Sequence, residues 1–405
     1  VVRAKSPLEA RSALRPAGGC ALPRAHVARF ALVAVTTGCA SDPPWPAREE
    51  PVAYPPGALV ALALDARSDA LLAIRLDDAP GVIARAPLPL DPVGRDGPSD
   101  LLVDRARRTV FVALAPPLPP HPPGPHATHM LSLADGALLS VSLDTLRVRA
   151  RARTEPSSSS ISLDPEGGAL WVASPEYLRA LDVRLPPADR GGAVTAFDPV
   201  TLRSIATVRP CLVPVSVTAG PGGLAWVACF GEDALTSVRL RDGRVERGPR
   251  MPVGEQPGSF PAVRFAVRGL ARDPSSGWLW TSARDARDVR AFSPVDGTLV
   301  ARVPVDGVPG PPRVDADGVW LTTRLPSTLV HIVGTAVASR LTLDDSMCLY
   351  PGAVLRSDDG RLHVLCEGDA RGDGALLTLS DGPVPTVARR VPIEANVTAL
   401  AFVRP

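Results

Sequence analysis

Cys211 to Val253 reads CLVPVSVTAGPGGLAWVACFGEDALTSVRLRDGRVERGPRMPV. Four short apolar runs are separated by turn residues, the pattern of four antiparallel strands. Proline and glycine, 46 and 34 in all, fall between apolar runs along most of the chain and favour many short strands over long helices.

The unit recurs on both sides. Tight turns at Asp164-Pro165-Glu166-Gly167-Gly168, Gly220-Pro221-Gly222-Gly223, Asp273-Pro274-Ser275-Ser276-Gly277, Asp315-Ala316-Asp317-Gly318 and Asp358-Asp359-Gly360 suit hairpins. Each is followed by a strand with a ring at its centre: Trp171, Trp226, Trp280, Trp320 and His363, with Phe111 in the same place earlier. A third strand also repeats, as Asp69 to Asp77 against Asp233 to Arg241, and Ala193 to Thr201 against Asp288 to Asp296. Four strands over about 40–55 residues is the period of propeller blades. The reading is all-β, a seven-bladed propeller, with blades at 98–155, 156–210, 211–253, 254–307, 308–344 and 345–395. The seventh is split: Val397 to Pro405 supplies a first strand and Gly57 to Ala63 a second, so that pairing of the two ends closes the ring and leaves no open seam.

These runs resemble the YVTN-repeat propellers, the YncE-like and surface-layer type. Leu170-Trp171-Val172-Ala173, Ala193 to Thr201, and Val253-Gly254-Glu255-Gln256-Pro257 stand where that family has LYVAN, VSVIDTATG and a VGxxP turn. The resemblance covers 57–405 and implies the fold, with little to say on function.

Cys211 and Cys229 are as far apart as Cys348 and Cys366, and CLVP and CLYP open the two pairs. Within a blade, the loop entering strand one and the end of strand two share a face, so the expected disulfides are Cys211–Cys229 and Cys348–Cys366. Neither a metal-ligand set nor C-x-x-C is present. Disulfides suit an oxidising compartment.

The leader agrees. Arg24 and Arg29 precede the apolar run Phe30 to Val35 and then Thr36-Thr37-Gly38-Cys39, a secretory signal ending like a bacterial lipobox. Cys39 is the expected lipidation site. Residues 1–39 are read as the leader, with Val27 an alternative start that would leave 1–26 outside the protein, and 40–56 as a Pro-rich tether. The expected address is the periplasm or outer membrane of a Gram-negative bacterium, with a lipid anchor as the only membrane contact.

Basic and acidic residues number 44 and 42, a net charge of +2, so no basic face is offered to nucleic acid. Candidate ligand residues lie in two loops. His121, His126 and His129 fall in the Pro-rich stretch from Pro116 to Gly136, where imidazoles suit Zn or Cu; a solvated loop is the plainer reading. Arg284, Asp285, Arg287 and Asp288 lie between strands two and three of one blade, as a polar rim or a surface ion-pair cluster. A second long loop spans Ser174 to Gly192. His331 and His363 are read as packing residues, and Asp369 to Gly374 holds an RGD string without specificity. There is no C-x-x-C-H, G-x-S-x-G, P-loop or dinucleotide glycine pattern. The expectation is a monomeric, non-enzymatic binding or scaffold module with no cofactor and no metal, presenting its long loops to an envelope protein or polysaccharide. The alternative is a lyase- or lactonase-like enzyme or a redox accessory.

Overall fold

The computed structural model describes residues 52, 54–55, 57–66, 68–77, 79–88, 97–115, 135–368, 374–380, 382, 385–393 and 397–404. Alternating apolar residues and Asp- or Gly-based turns fold them into seven antiparallel sheets. Blade 2 is built from Gly97–Asp104, Thr109–Ala115, Gly136–Ser142 and Val148–Thr154, and blade 3 from Ser160–Leu163, Leu170–Ser174, Gly192–Phe197 and Ser204–Cys211. Blade 4 holds Pro214–Ala219, Leu224–Cys229, Ala234–Arg241 and Arg244–Pro252; blade 5 holds Val267–Arg272, Leu279–Ala283, Asp288–Phe292 and Leu299–Pro304. In blade 6 the first strand is broken into Val308–Pro309 and Arg313–Asp315, and Gly318–Arg324, Thr328–Val333 and Ala336–Thr342 follow. Blade 7 is Pro351–Arg356, Leu362–Cys366, Gly374–Leu379 and Val387–Ile393. First strands touch first strands from each blade to the next, and blade 7 reaches blade 1.

Blade 1 closes the ring as expected. Val397–Val403 is its innermost strand and pairs with Val60–Asp65, setting Ala61 opposite Phe402 and Val60 opposite Val403. Ala70–Arg75 and Gly81–Pro87 complete the sheet. Val52 and Tyr54, in the stretch read as tether, pack against blades 1 and 2, and the Tyr54 hydroxyl donates to the Leu143 carbonyl at 3.0 Å.

Side chains of a strand alternate between its faces, and each blade face is covered by a neighbouring blade. The result is one apolar core per junction. The recurring ring always faces the next blade: Phe111 packs toward blade 3, Trp171 toward 4, Trp226 toward 5, Trp280 toward 6 and Trp320 toward 7. His363 continues the series against Phe402 of blade 1, ring centroids 4.6 Å apart. Burying each such side chain contributes about 1.5–3 kcal/mol or more.

The innermost strands expose one unpaired edge to the channel, and small hydroxyls cover it. Thr398 donates to the Pro98 carbonyl, Ser99 to Ser158 and Thr218 to Leu270; Ser160 accepts from the Val217 amide; Ser282 donates to Gly310 and Thr322 to Gly352. From blade 1 round to blade 7, each blade thus ties the next, satisfying backbone groups that no fifth strand reaches.

Candidate functional site

One face of the ring, here the upper face, carries the passages from fourth strand to next first strand and the turns from second to third. On it, above blades 3 to 7, arginines meet a cluster of rings.

Arg268 stands at the upper end of the first strand of blade 5. Gly269 follows at φ 65°, where an added Cβ would sit 2.6 Å from Pro311, and the register shifts between Arg268 and Ala271. Such a bulge re-aims the side chain beside it. The Arg268 guanidinium lies 5.8 Å from the centroid of Phe230, which follows the second strand of blade 4. Arg284 leaves the second strand of blade 5, and Arg324 ends that of blade 6.

The rings come from three segments. The loop Ser174 to Gly192 contains a short helix, Tyr177–Leu181, pinned by Glu176, whose carboxylate accepts from Arg209 at 2.5 Å. Burial raises the Glu176 pKa, partly offset by Arg209. Tyr177 meets Phe230 and Phe260 edge-on at 6.2 and 5.8 Å. Phe260 rides on the passage from blade 4 to blade 5, which Asp233 organises. The fully buried Asp233 carboxylate accepts from the amides of Gly258, Arg264, Phe265 and Ala266 at 2.8, 2.6, 3.1 and 2.9 Å. One side chain thereby holds a loop that has few bonds of its own.

Charge in this region is incompletely neutralised. Arg324 pairs with Glu367 at 2.7 Å. Among the described residues neither Arg268 nor Arg284 has an ion pair. Burial, and then the positive charge of Arg268, lower the Arg284 pKa, while the charge of Asp285 opposes them. The Tyr177 hydroxyl and the Arg268 Nε are buried without a hydrogen-bond partner. Burial pushes the Tyr177 pKa up; Arg268 and Arg284 pull it down, so the hydroxyl lies within electrostatic reach of both. Buried polar groups are normally satisfied, and guanidinium groups suit carboxylate and phosphate. The arrangement can hold an anion.

Both expected disulfides form, but the first is not confined to one blade as expected: Cys211 ends the fourth strand of blade 3 and Cys229 the second strand of blade 4, because the outer strand of blade 3 runs on directly into the entry to blade 4. Cys211–Cys229 has its Cα atoms 5.9 Å apart and Cys348–Cys366 5.1 Å, each spanning a sequence separation of 18. The Arg284 to Asp288 segment does not act as one rim. Asp288 is fully buried, paired with Arg290 at 2.7 Å and with Arg302, because it begins a strand whose face is covered. Arg287 and Asp285 are exposed, and only Arg284 turns toward the cluster. His121, His126, His129 and Cys39 lie outside the described residues. His331 stacks on Trp320 at 3.8 Å. Among the described residues no group of three or more His, Cys, Asp or Glu side chains is placed to hold a metal ion, and no helix is long and apolar enough to cross a membrane.

Tyr177, Phe230, Phe260, Arg268, Arg324 and Glu367 were not singled out from sequence. The available signal was position: all lie at strand ends or in the connections at the upper face.

Many solved structures share the architecture, among them the following three. The Pseudomonas aeruginosa periplasmic gluconolactonase PpgL has 16% identity and a TM-score of 0.58, over 85% of this chain and 99% of that one. A putative 6-phosphogluconolactonase from Bacteroides fragilis has 15% identity and a TM-score of 0.58, over 86% and 98%. The dihydro-heme d1 dehydrogenase NirN has 18% identity and a TM-score of 0.52, over 89% and 77%. At these identities the likeness is one of fold. No protein-family model matches the sequence, and no curated protein is similar to it. The two disulfides suggest an oxidising, exported location.

Proposed function

We propose that this chain is an exported β-propeller that binds a small anionic ligand, a carboxylate or phosphate, on its upper face. The observation that carries the reading is the pair Arg268 and Arg284, half-buried and without ion pairs among the described residues, beside the buried, unpartnered Tyr177 hydroxyl. On this reading it is a YVTN-like binding module held at the envelope by a lipid on Cys39, and its ligand is free or forms part of an acidic envelope polysaccharide.

Calorimetric titration with gluconate and with inorganic phosphate tests it. The wild type should bind at least one of them. R268Q and R284Q should each weaken that binding about 10- to 100-fold, the worth of a hydrogen bond to a charged group. Y177F should weaken it less. Binding indifferent to both arginines, or no binding, rejects the proposal.

A second reading, hydrolysis of a sugar lactone, draws on two neighbours named as gluconolactonases. The same arginines would hold the acid product. Turnover of gluconolactone above its spontaneous rate, abolished by R284Q, would favour it.

A further inference from the structure

Blades 5 and 6 carry the arginines, and the disulfides stand at the blades flanking them: Cys211, at the end of blade 3, is joined to Cys229 of blade 4, and Cys348, in the passage into blade 7, to Cys366 of blade 7. The two stapled corners are built alike. At the entry to blade 4, Leu212 and Val213 follow Cys211, and Phe230 follows Cys229; at the entry to blade 7, Leu349 and Tyr350 follow Cys348, and Glu367 follows Cys366. Val213 and Tyr350 have positive φ, 52° and 54°. The Phe230 amide donates to the Val213 carbonyl at 3.0 Å and Gly231 to Leu212 at 3.1 Å; Glu367 donates to Tyr350 at 2.9 Å and Gly368 to Leu349 at 3.0 Å. A left-handed valine or tyrosine persists only where its surroundings over-determine it. Here the two backbone bonds and the staple do so, and all four cysteines are buried.

Each corner supports an arginine of the site. Phe230 lies 5.8 Å from the Arg268 guanidinium. Tyr350 lies 5.3 Å from that of Arg324, which Glu367 also holds at 2.7 Å.

We infer that the two stapled corners are the rigid jaws of the anion site, each disulfide fixing the residues that orient one arginine, so that the ligand-ready arrangement belongs to the chain with both disulfides formed. Its consequence for affinity rests on the anion-binding reading; its geometry does not. A chain still reduced inside the cell would bind weakly, and capture would begin after export.

The test uses C211A/C229A and C348A/C366A, each keeping the other disulfide. With gluconate and inorganic phosphate as probes, each variant should lose about tenfold or more in affinity while circular dichroism keeps its strand signature. In double-mutant cycles, C211A/C229A should absorb most of the R268Q effect, and C348A/C366A most of the R324Q effect. Staples that serve stability alone would leave those effects additive, and additivity or unchanged affinity overturns the inference. A second readout needs no ligand. Tyr177 packs on Phe230, so C211A/C229A should shift its ionisation toward that of free tyrosine in an absorbance titration, with Y177F as the baseline. An unmoved midpoint overturns the inference. Should the wild type bind neither probe, the binding reading fails and the Tyr177 titration still decides this one. If C211A/C229A does not fold, F230A with both disulfides intact tests the same contact.

Discussion

His363 occupies the position that tryptophan holds in blades 3 to 6, and it is buried between the hydroxyls of Ser357 and Thr378 at 2.9 and 3.1 Å. Burial lowers its pKa from 6.5 to about 4. Between those values the unfolded chain takes up a proton that the native ring refuses, so stability falls as pH drops through the window. Asp100, on the first strand of blade 2, behaves oppositely. Burial raises its pKa from 3.8 to about 6, although its carboxylate accepts from the Ile161 amide of blade 3 at 2.9 Å. Between 3.8 and 6 the native carboxyl keeps a proton that the unfolded chain has released, so stability falls as pH rises. Each effect amounts to about 3 kcal/mol across its window, and they oppose each other. H363F should therefore leave a stability that declines as pH rises from about 4 to 6, and D100N one that increases; denaturant midpoints against pH check both. The packing role of His363 was legible in the repeat. That of Asp100 was not, because its partner amide belongs to the next blade.

At the scale of elements, the passage from blade 4 to blade 5 depends on Asp233. D233A strands four backbone amides and should cost roughly 3–5 kcal/mol, whereas D233N, which keeps one acceptor oxygen, should cost about half. Because Phe260 rides on this loop, D233A should also weaken anion binding beyond what D233N does; thermal melts and calorimetry separate the two effects. Hairpins and cysteine pairs were readable along the chain, since their residues recur at constant spacing. Beyond the turn from Val253 to Pro257, the loop that runs on to Ala266 was not. Its bonds converge on one aspartate that, in the sequence, looked like any first residue of a third strand.

For the whole molecule, closure by Val397–Val403 is the contact of longest reach. F402A removes a buried ring shared by blades 7 and 1 and should cost about 3–5 kcal/mol. Removing residues 397–405 should leave the strand Val60–Asp65 as a bare apolar edge and drive self-association, visible by sedimentation. A truncated chain as stable and monomeric as the full one would contradict the closure. The sequence by itself determined the seven blades, the split blade and the cysteine partners, because turn residues, two-residue alternation and repeat period act between near neighbours and recur. Only the tertiary structure decided which arginines lack counter-ions. With 44 basic and 42 acidic side chains, composition permits nearly complete pairing. Among the described residues Arg268, Arg284 and Tyr177 have no carboxylate partner, because the fold sets them beside the rings of Phe230 and Phe260, on three successive blades, rather than beside acids.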